Sequence, residues 1–527
     1  MHISSIRSRL ARGAWMAAAA LWLAGCALGT RPDATPLALR GAPPDALTQL
    51  RWLDRVSWGA NASGQAEVEK QGLVVWMGRQ LKPAPQPLPA EAQAQIDTME
   101  IARTPVDTLA IALDAERKSA DALADEDQKK AARQAYQQHL SRLAREAQQR
   151  FVLRALYSPN QLQEQMTWFW MNHFNVSQRK GGDMRALIGD YEENAIRPHA
   201  LGRFRDLLGA TLHHPAMLRY LDNAQNAANR INENYARELM ELHTLGVGSG
   251  YSQADVQELA RVLTGVGVSL QPADAPPPKL KAAIAADYRR QGLFEFNPNR
   301  HDYGPKTLLG EPIRGRGLAE VDEALDRLAR APATARFVSR KLAVYFVADD
   351  PSNALVERMA ASFTRSDGDI AATLRTLFES PEFTASLGRK FRDPVHYAIA
   401  GVRLAYDGRV AANVGPLLNW IDRMGQPLYG HETPDGYPLH EAAWASAGQM
   451  NTRFEIARIL GANGAVLFRT DAKAPLESPA FPPLAESPAV REMQTGFGAG
   501  TREVLAQAKN PSEWNTLLLA APELMRR

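Results

Sequence analysis

The chain has 527 residues, and its 61 Lys and Arg residues against 58 Asp and Glu give a formal net charge of +3. This near balance is not the basic footprint of a nucleic-acid-binding protein, so we expect no nucleic-acid partner. Hydrophobic residues make up 45% of the chain, which is ordinary for a globular protein long enough to bury large cores. Cys26 is the only cysteine, so no disulfide can form within the chain.

The first 25 residues have the layout of an export signal. Three arginines precede a short apolar run, AWMAAAALWLAG, which is too short to span a membrane. The run ends in LAGC, which resembles the lipobox of bacterial lipoproteins and implies cleavage before Cys26 and lipid on its sulfur. The alternative is a general secretion signal with a chance cysteine. Ala27, in place of an Asp, favours the outer membrane by the usual sorting rule. We predict a signal peptide over residues 1–25 and a lipid-anchored envelope protein that faces the periplasm.

Residues 26–46 are rich in Pro, Gly and Ala, and they predict a flexible tether between the lipid and the folded body. From residue 47 onward the hydrophobic pattern is mostly helical. Residues 269–316 interrupt it with three consecutive prolines and with β-like alternation in LFEFNPNRHDYGPKTLLGEPI. The pattern predicts a mainly α fold, a multi-helix body with one small β-hairpin region. Residues 47–268 and 317–527 could then form two lobes of one helical domain, 47–527.

The segment QLQEQMTWFWMNHF is predicted to be a central helix of the body. Ser158 and Pro159 mark its start, and aromatic residues cover most of its surface, which favours burial. His173 lies near its end. It is either a satisfied histidine of the core or a ligand or base that points inward.

The stretch INENYARELMELHTLGVGSGYSQADVQELARVLTG, residues 231–265, predicts a helix, a glycine turn and a second helix. On a helical wheel, one arc of the first helix is apolar and contains His243, which we predict to lie in the core. The opposite arc carries carboxylates, amides and one guanidinium, with Asn232 as the predicted N-cap. Ser252 and Asp255 have the spacing of a capping box at the start of the second helix.

The polar arc has several interpretations. It is a solvated face, a buried network that ties helices together, or the lining of a cleft that holds a ligand or metal. A divalent metal is the cofactor that such groups would suit: calcium for oxygen ligands, zinc or iron for histidine with carboxylate. In a functional cleft shared with His173, we expect Arg237 to pair with Glu238, Glu241 or Asp255. The candidate residues are His173, Asp222, Asn223, Asn232, Glu233, Asn234, Arg237, Glu238, Glu241 and Asp255.

Several sequence blocks occur in the order that they have in one bacterial family. They are LRWLDRVSWG, WFWMNHF, RPHALGRFRDLL, HPAMLRYLDN, NENYARELMELHTLGV, YSQADVQELARVLTG, HDYGPKTLLG, RKLAVYFVADDP and MGQPLYGHETPDGYP. Over residues 47–527 the chain resembles the family called domain of unknown function 1800. The resemblance implies an exported, mainly helical protein without an established activity. Its members are often encoded beside an exported family that resembles sulfatases and phosphatases, which suggests a partner. The family also admits an aromatic residue at the His243 position.

The sequence contains no H-E-x-x-H, no G-x-S-x-G and no P-loop. We therefore expect a binding or scaffold lipoprotein of the cell envelope. The alternative is a metal-assisted hydrolase that uses the region from His173 to Glu241. A third class is a carbohydrate-binding accessory protein, whose candidates for stacking on sugars are Trp168, Trp170, Trp420 and Trp444.

Overall fold

The computed structural model describes residue 38, residues 44–469, residues 471, 473 and 475, and residues 478–527. The predicted signal peptide, Cys26 and most of the predicted tether 26–46 lie outside these residues. The first helix begins at Ala46, next to the predicted start of the helical body. In the described part of the chain, no helix is both long enough and apolar enough to cross a membrane.

The first half of the body is helical, and its helix starts follow local sequence signals. Asp45 accepts a hydrogen bond from the Thr48 backbone N–H and caps the first helix. The predicted capping box of Ser252 and Asp255 is present. The helices are α1 (Ala46–Val56), α2 (Ala62–Gln71), α3 (Leu73–Leu81), α4 (Ala90–Asp97), α5 (Glu100–Arg103), α6 (Val106–Ala122), α7 (Glu126–Tyr157), α8 (Gln161–His173), α9 (Met184–Asp190), α10 (Phe204–His213), α11 (Pro215–Tyr220), α12 (Asn234–Glu238) and α13 (Gln253–Val262).

Two of these helices continue with a wider backbone turn. A π-helix over Tyr191–Ile196 follows α9, and a second π-helix over Leu239–Thr244 follows α12. Such π-helical segments are rare in proteins, and those that do occur are often found at functional sites. The second one lies inside the stretch on which the candidate cluster was predicted.

The predicted β region forms two small antiparallel sheets. Strands β1 (Val266–Val268), β2 (Arg289–Gln291) and β3 (Phe294–Phe296) have the order β1-β3-β2, with Val266 opposite Phe296 and Gln291 opposite Phe294. Strands β4 (Thr307–Leu308) and β5 (Glu311–Pro312) form a separate hairpin. Its two loop residues, Leu309 and Gly310, both have positive φ, as a tight type I′ turn requires. The prediction of a small β region is confirmed, although β1 begins before the irregular segment.

The second half returns to helices. Proline at the first or second position starts several of them, because it lacks only an N–H that has no helical partner there. These helices are α14 (Leu318–Arg330), α15 (Pro332–Phe346), α16 (Asn353–Arg365), α17 (Ile370–Phe378), α18 (Pro381–Ser386), α19 (Pro394–Ala405), α20 (Gly415–Arg423), α21 (Ala447–Asn463), α22 (Pro488–Thr495), α23 (Ala499–Ala506) and α24 (Pro511–Leu519). The mainly α prediction is confirmed.

One main core of buried apolar residues runs through both halves, from Leu50 to Met525. A smaller satellite cluster consists of Leu109, Leu113, Tyr136, Leu140, Leu143 and Ala186. Helix α8 lies inside the main core, as its aromatic composition predicted. The sugar-stacking hypothesis is wrong, because its four tryptophans are buried: Trp168 is 4%, Trp170 0%, Trp420 4% and Trp444 6% exposed.

Candidate functional site

The predicted helix over 232–245 is present, but its backbone differs from a regular α-helix. The α-helical part ends at Glu238, and the π-helix continues to Thr244, whose hydroxyl donates to the Leu239 carbonyl at 2.7 Å. The N-cap prediction was wrong by one residue, since Glu233 occupies that position. Asn232 instead lies just outside the helix and accepts from the Asn234 N–H at 3.0 Å. It stabilises the same turn from the preceding position.

The amide side chains of the candidate cluster bind backbone. Asn223 is buried and donates to the Val266 carbonyl at 2.9 Å, which joins the end of α11 to β1. Asn232 donates to the Asp222 carbonyl at 3.3 Å, and Asn234 donates to Leu221 at 3.2 Å. These residues are brought together as predicted. Their polar atoms are used to fix the approach of α12 to the preceding turn, which is a structural role.

Two charged members of the cluster have partners other than those predicted. Arg237 pairs with Glu233 at 3.2 Å and donates to Gln253 at 2.8 Å, not to Glu238, Glu241 or Asp255. Glu233 lies one helical turn before Arg237, where side chains on a helix meet. Asp255 accepts hydrogen bonds within its capping box and from the N–H of Leu309. Burial alone would raise the pKa of Asp255, but these hydrogen bonds lower it overall. The carboxylate of Asp222 pairs with Lys180 at 2.8 Å.

His173 is a core residue and not part of the polar face. It is 1% exposed, and its Nε2 donates to the carbonyl of His243 at 3.0 Å. Its ring packs among aromatic rings, with Phe174 at 4.5 Å and Trp170 at 5.3 Å between centroids. Burial, and then the nearby charge of Lys341, lower the pKa of His173 well below its usual value. The ligand or base interpretation of this histidine is therefore corrected to a neutral core imidazole.

His243 lies in the core, as predicted from its position in the apolar arc. It is 0% exposed, and neither of its ring nitrogens has a hydrogen-bond partner within the described residues. Burial lowers its pKa to about 3. The π-helix thus places a neutral histidine on its inner side and Glu241 on its outer side.

A turn-rich segment, residues 430–437, covers the end of α8 and faces α12. Asn172 donates to the Tyr437 carbonyl at 2.9 Å and accepts from its N–H at 2.6 Å, while Tyr220 donates to the Glu432 carbonyl at 2.7 Å. Gly436 has φ +76°, and a Cβ there would come within 2.1 Å of the Asn172 carbonyl oxygen. A side chain at this position would clash with the backbone of α8, so glycine is required there.

Asp435, in that segment, interacts electrostatically with two other charged groups, Glu238 and Lys341. Glu238 and Lys341 make no hydrogen bond or ion pair with any residue that the structure describes, although both are half-buried. Burial, and then the neighbouring Glu241, raise the pKa of Glu238 against the opposing charge of Arg237, and Asp435 adds a smaller effect in the raising direction. Burial lowers the pKa of Lys341 to about 8 against the opposing charge of Asp435. Both groups are thus held in an environment that disfavours their charged forms.

Glu241 and Val247 lie on the same surface as these charged groups. We call the surface formed by Glu238, Glu241, Val247, Lys341 and Asp435 the 238–341 face. Glu241 accepts from the Tyr251 hydroxyl at 3.2 Å. Val247 follows the π-helix and is 72% exposed, an unusual position for a valine. It lies beside Gly246, which packs against Phe337, and the Lys341 ammonium lies 5.6 Å from the centroid of the Phe337 ring.

The sequence interpretation missed Lys341 and Asp435. Both come from segments about 100 and 200 residues beyond the candidate helix, and nothing in their local pattern relates them to it. The one available signal was the glycine-bearing turn around Asp435. For the predicted divalent metal, the described part of the chain holds no group of three or more His, Cys, Asp or Glu side chains that could bind one.

Comparison with known proteins identifies the family of this chain. A family model described as "Protein of unknown function (DUF1800)" matches residues 51–526, nearly the whole body. No curated protein and no solved structure gives a significant match. The match agrees with the family that the sequence blocks resemble, and the chain belongs to this family.

Proposed function

We propose that this protein is a lipid-anchored protein of the bacterial envelope that docks an exported partner on the 238–341 face. The observation that carries the proposal is a pair of half-buried charges near Asp435, Glu238 and Lys341, which make no hydrogen bond or ion pair with the described residues. A partly desolvated charge that makes no hydrogen bond costs free energy. A partner that offers a donor to Glu238 and an acceptor to Lys341 recovers that cost.

The surroundings of these charges favour a protein partner. Val247 adds an exposed apolar contact beside them, and protein interfaces combine such contacts with polar groups. The segment 430–437 and the amides at the start of α12 hold the face in one arrangement, so little ordering is needed on binding. The first partner to test is the exported sulfatase- and phosphatase-like protein that the family resemblance suggests. We do not propose the metal-assisted hydrolase, because the imidazoles of His173 and His243 are enclosed in the core.

Anchoring is tested by Cys26→Ala. The export signal and the LAGC sequence predict that the variant stays uncleaved or is processed elsewhere, and that it leaves the outer-membrane fraction. A variant that still fractionates with the outer membrane at the processed size would show that lipid on Cys26 is not the anchor. This test is independent of the docking face.

Docking is tested in cells by photo-crosslinking. A photoreactive residue at Val247 should capture the partner, and the same residue at Val75 should not, because Val75 is 49% exposed on α3, outside the 238–341 face. Lys341→Glu should abolish capture at position 247, since it places a third carboxylate beside Glu238 and Asp435. The same adduct at both positions, or an adduct that Lys341→Glu leaves unchanged, would refute the proposal.

A further inference from the structure

A cavity of about 510 Å³ lies between the satellite cluster and the main core. Leu113 and Ala186 line it on the satellite side, and Leu187 and Leu293 line it on the side of the main core. Its volume is that of a small-molecule site. Its lining is mixed, with eight apolar or glycine residues and six polar or charged ones: Asp114, Arg117, Tyr136, Gln137, Asp183 and Arg219. None of the residues of the 238–341 face lines it, so this cavity is independent of the proposed function.

One polar group inside the cavity lacks a partner. Tyr136 lines the cavity and is 8% exposed, yet its hydroxyl makes no hydrogen bond to any residue in the described part of the chain. Burial raises the pKa of this phenol, so it stays a neutral donor. The hydroxyl oxygen itself is reached by solvent, so an acceptor that enters the cavity can bind it.

A second donor lies at the same cavity. Arg219 donates from one nitrogen to Asp183, and its other N–H groups have no hydrogen-bond partner among the described residues. A guanidinium can bind a carboxylate with two parallel hydrogen bonds. The nearby Asp114 is already shared by Arg117 and Lys118. The cavity therefore has unused donors on Tyr136 and Arg219, and the two carboxylates that line it, Asp114 and Asp183, are each paired with a cation.

We propose that this cavity binds a monocarboxylic acid with an apolar tail. Its carboxylate accepts from the Tyr136 hydroxyl and the Arg219 guanidinium, and its tail fills the space between the satellite cluster and the main core. The apolar lining selects the tail by burial, without specific contacts. The head group is selected by hydrogen bonds, since an uncharged alcohol leaves the guanidinium donors unused.

The test is calorimetric titration of the purified protein with the straight-chain acids from hexanoate to decanoate. Affinity should rise by about fourfold for each added methylene, which is the usual gain on burying that group. Decanol should bind at least about tenfold more weakly than decanoate, because it lacks the charged head. No binding of any acid, affinity that does not depend on chain length, or equal affinity for decanol and decanoate would overturn the proposal.

Two variants locate the site. Tyr136→Phe keeps the ring and should weaken decanoate binding by about tenfold, whereas Tyr288→Phe, whose hydroxyl bonds Glu295 elsewhere at 2.9 Å, should leave it unchanged. Ala110→Trp places an indole in the cavity from a partly exposed position on α6 and should abolish binding. Thermal melts show whether each variant is folded. Decanoate binding that a folded Ala110→Trp variant retains would place the acid elsewhere and overturn the proposal.

Discussion

Replacement of His243 by Phe should leave the protein folded and should remove part of its sensitivity to acid. The imidazole is fully enclosed, with the rings of Phe174 and Tyr235 at 5.1 and 6.4 Å between centroids. Neither ring nitrogen has a partner in the described residues. Phe keeps an aromatic ring in this position and removes two polar atoms that are buried without hydrogen bonds.

The size of the effect follows from the pKa. Burial lowers the pKa of His243 to about 3 in the folded protein, from an ordinary value of 6.5. Between these two values the unfolded chain binds a proton that the folded chain does not bind. The free energy of unfolding therefore falls as the pH falls from 6.5 toward 3. At about pH 5 this residue alone accounts for a loss of about 2 kcal/mol, which the variant lacks.

The assay is urea unfolding followed by tryptophan fluorescence at about pH 7 and about pH 5. The loss of stability between the two pH values should be smaller by about 2 kcal/mol in His243→Phe than in the wild type. Comparing two pH values within each variant cancels the packing cost of the larger ring. Tyr235→Phe is the matched control, because burial raises the pKa of that phenol and it does not titrate in this range. Equal acid sensitivity of His243→Phe and the wild type would refute the reasoning.

Two further predictions concern buried charges elsewhere. Arg392→Ala removes the guanidinium that donates to both oxygens of buried Asp54 at 2.7 and 2.8 Å. It should lower the free energy of unfolding by about 3–5 kcal/mol in urea titrations; a loss like that of an exposed pair would contradict this. Glu192→Gln keeps the acceptor for the Tyr429 hydroxyl at 2.6 Å. Because burial raises the pKa of Glu192 to about 7, the wild type loses stability as the pH rises from 4.5 through 7. The variant should gain about 3 kcal/mol relative to it between about pH 4.5 and 8.

Those parts of the fold that depend on local signals were predictable. The capping box of Ser252 and Asp255 needs only residues three apart, and it forms as expected. The burial of α8 follows from its own aromatic composition, and the core position of His243 follows from its place on the helical wheel. Capping boxes and apolar helix faces are encoded within one or two turns of chain, so the sequence pattern is sufficient for them.

The exact backbone of the candidate helix was not predictable. The change from α12 to the π-helix at Leu239 leaves no mark in the amino-acid composition. His243, inside this π-helix, packs in the core against Phe174, the residue that follows α8. The partner of Arg237 was mispredicted for a related reason. Several carboxylates lie within its reach, and the choice among them depends on Gln253, which the glycine turn brings close.

The candidate cluster shows why polar composition alone is a poor guide to a site. Asn223, Asn232 and Asn234 lie close together in the sequence, which made them candidates for a site. In the folded protein their side-chain amides donate to nearby backbone carbonyls, so these donors are not available to a ligand. A binding group must keep an unmet donor or acceptor in the folded protein. Glu238 and Lys341, which the fold brings near Asp435 from distant segments, meet that condition because neither makes a hydrogen bond or ion pair in the part of the chain that the structure describes. Tyr136 meets it for the same reason at the cavity. Sites in this helical body are therefore to be sought where helices that are distant in sequence converge, since local hydrogen bonding leaves few groups unused within one helix.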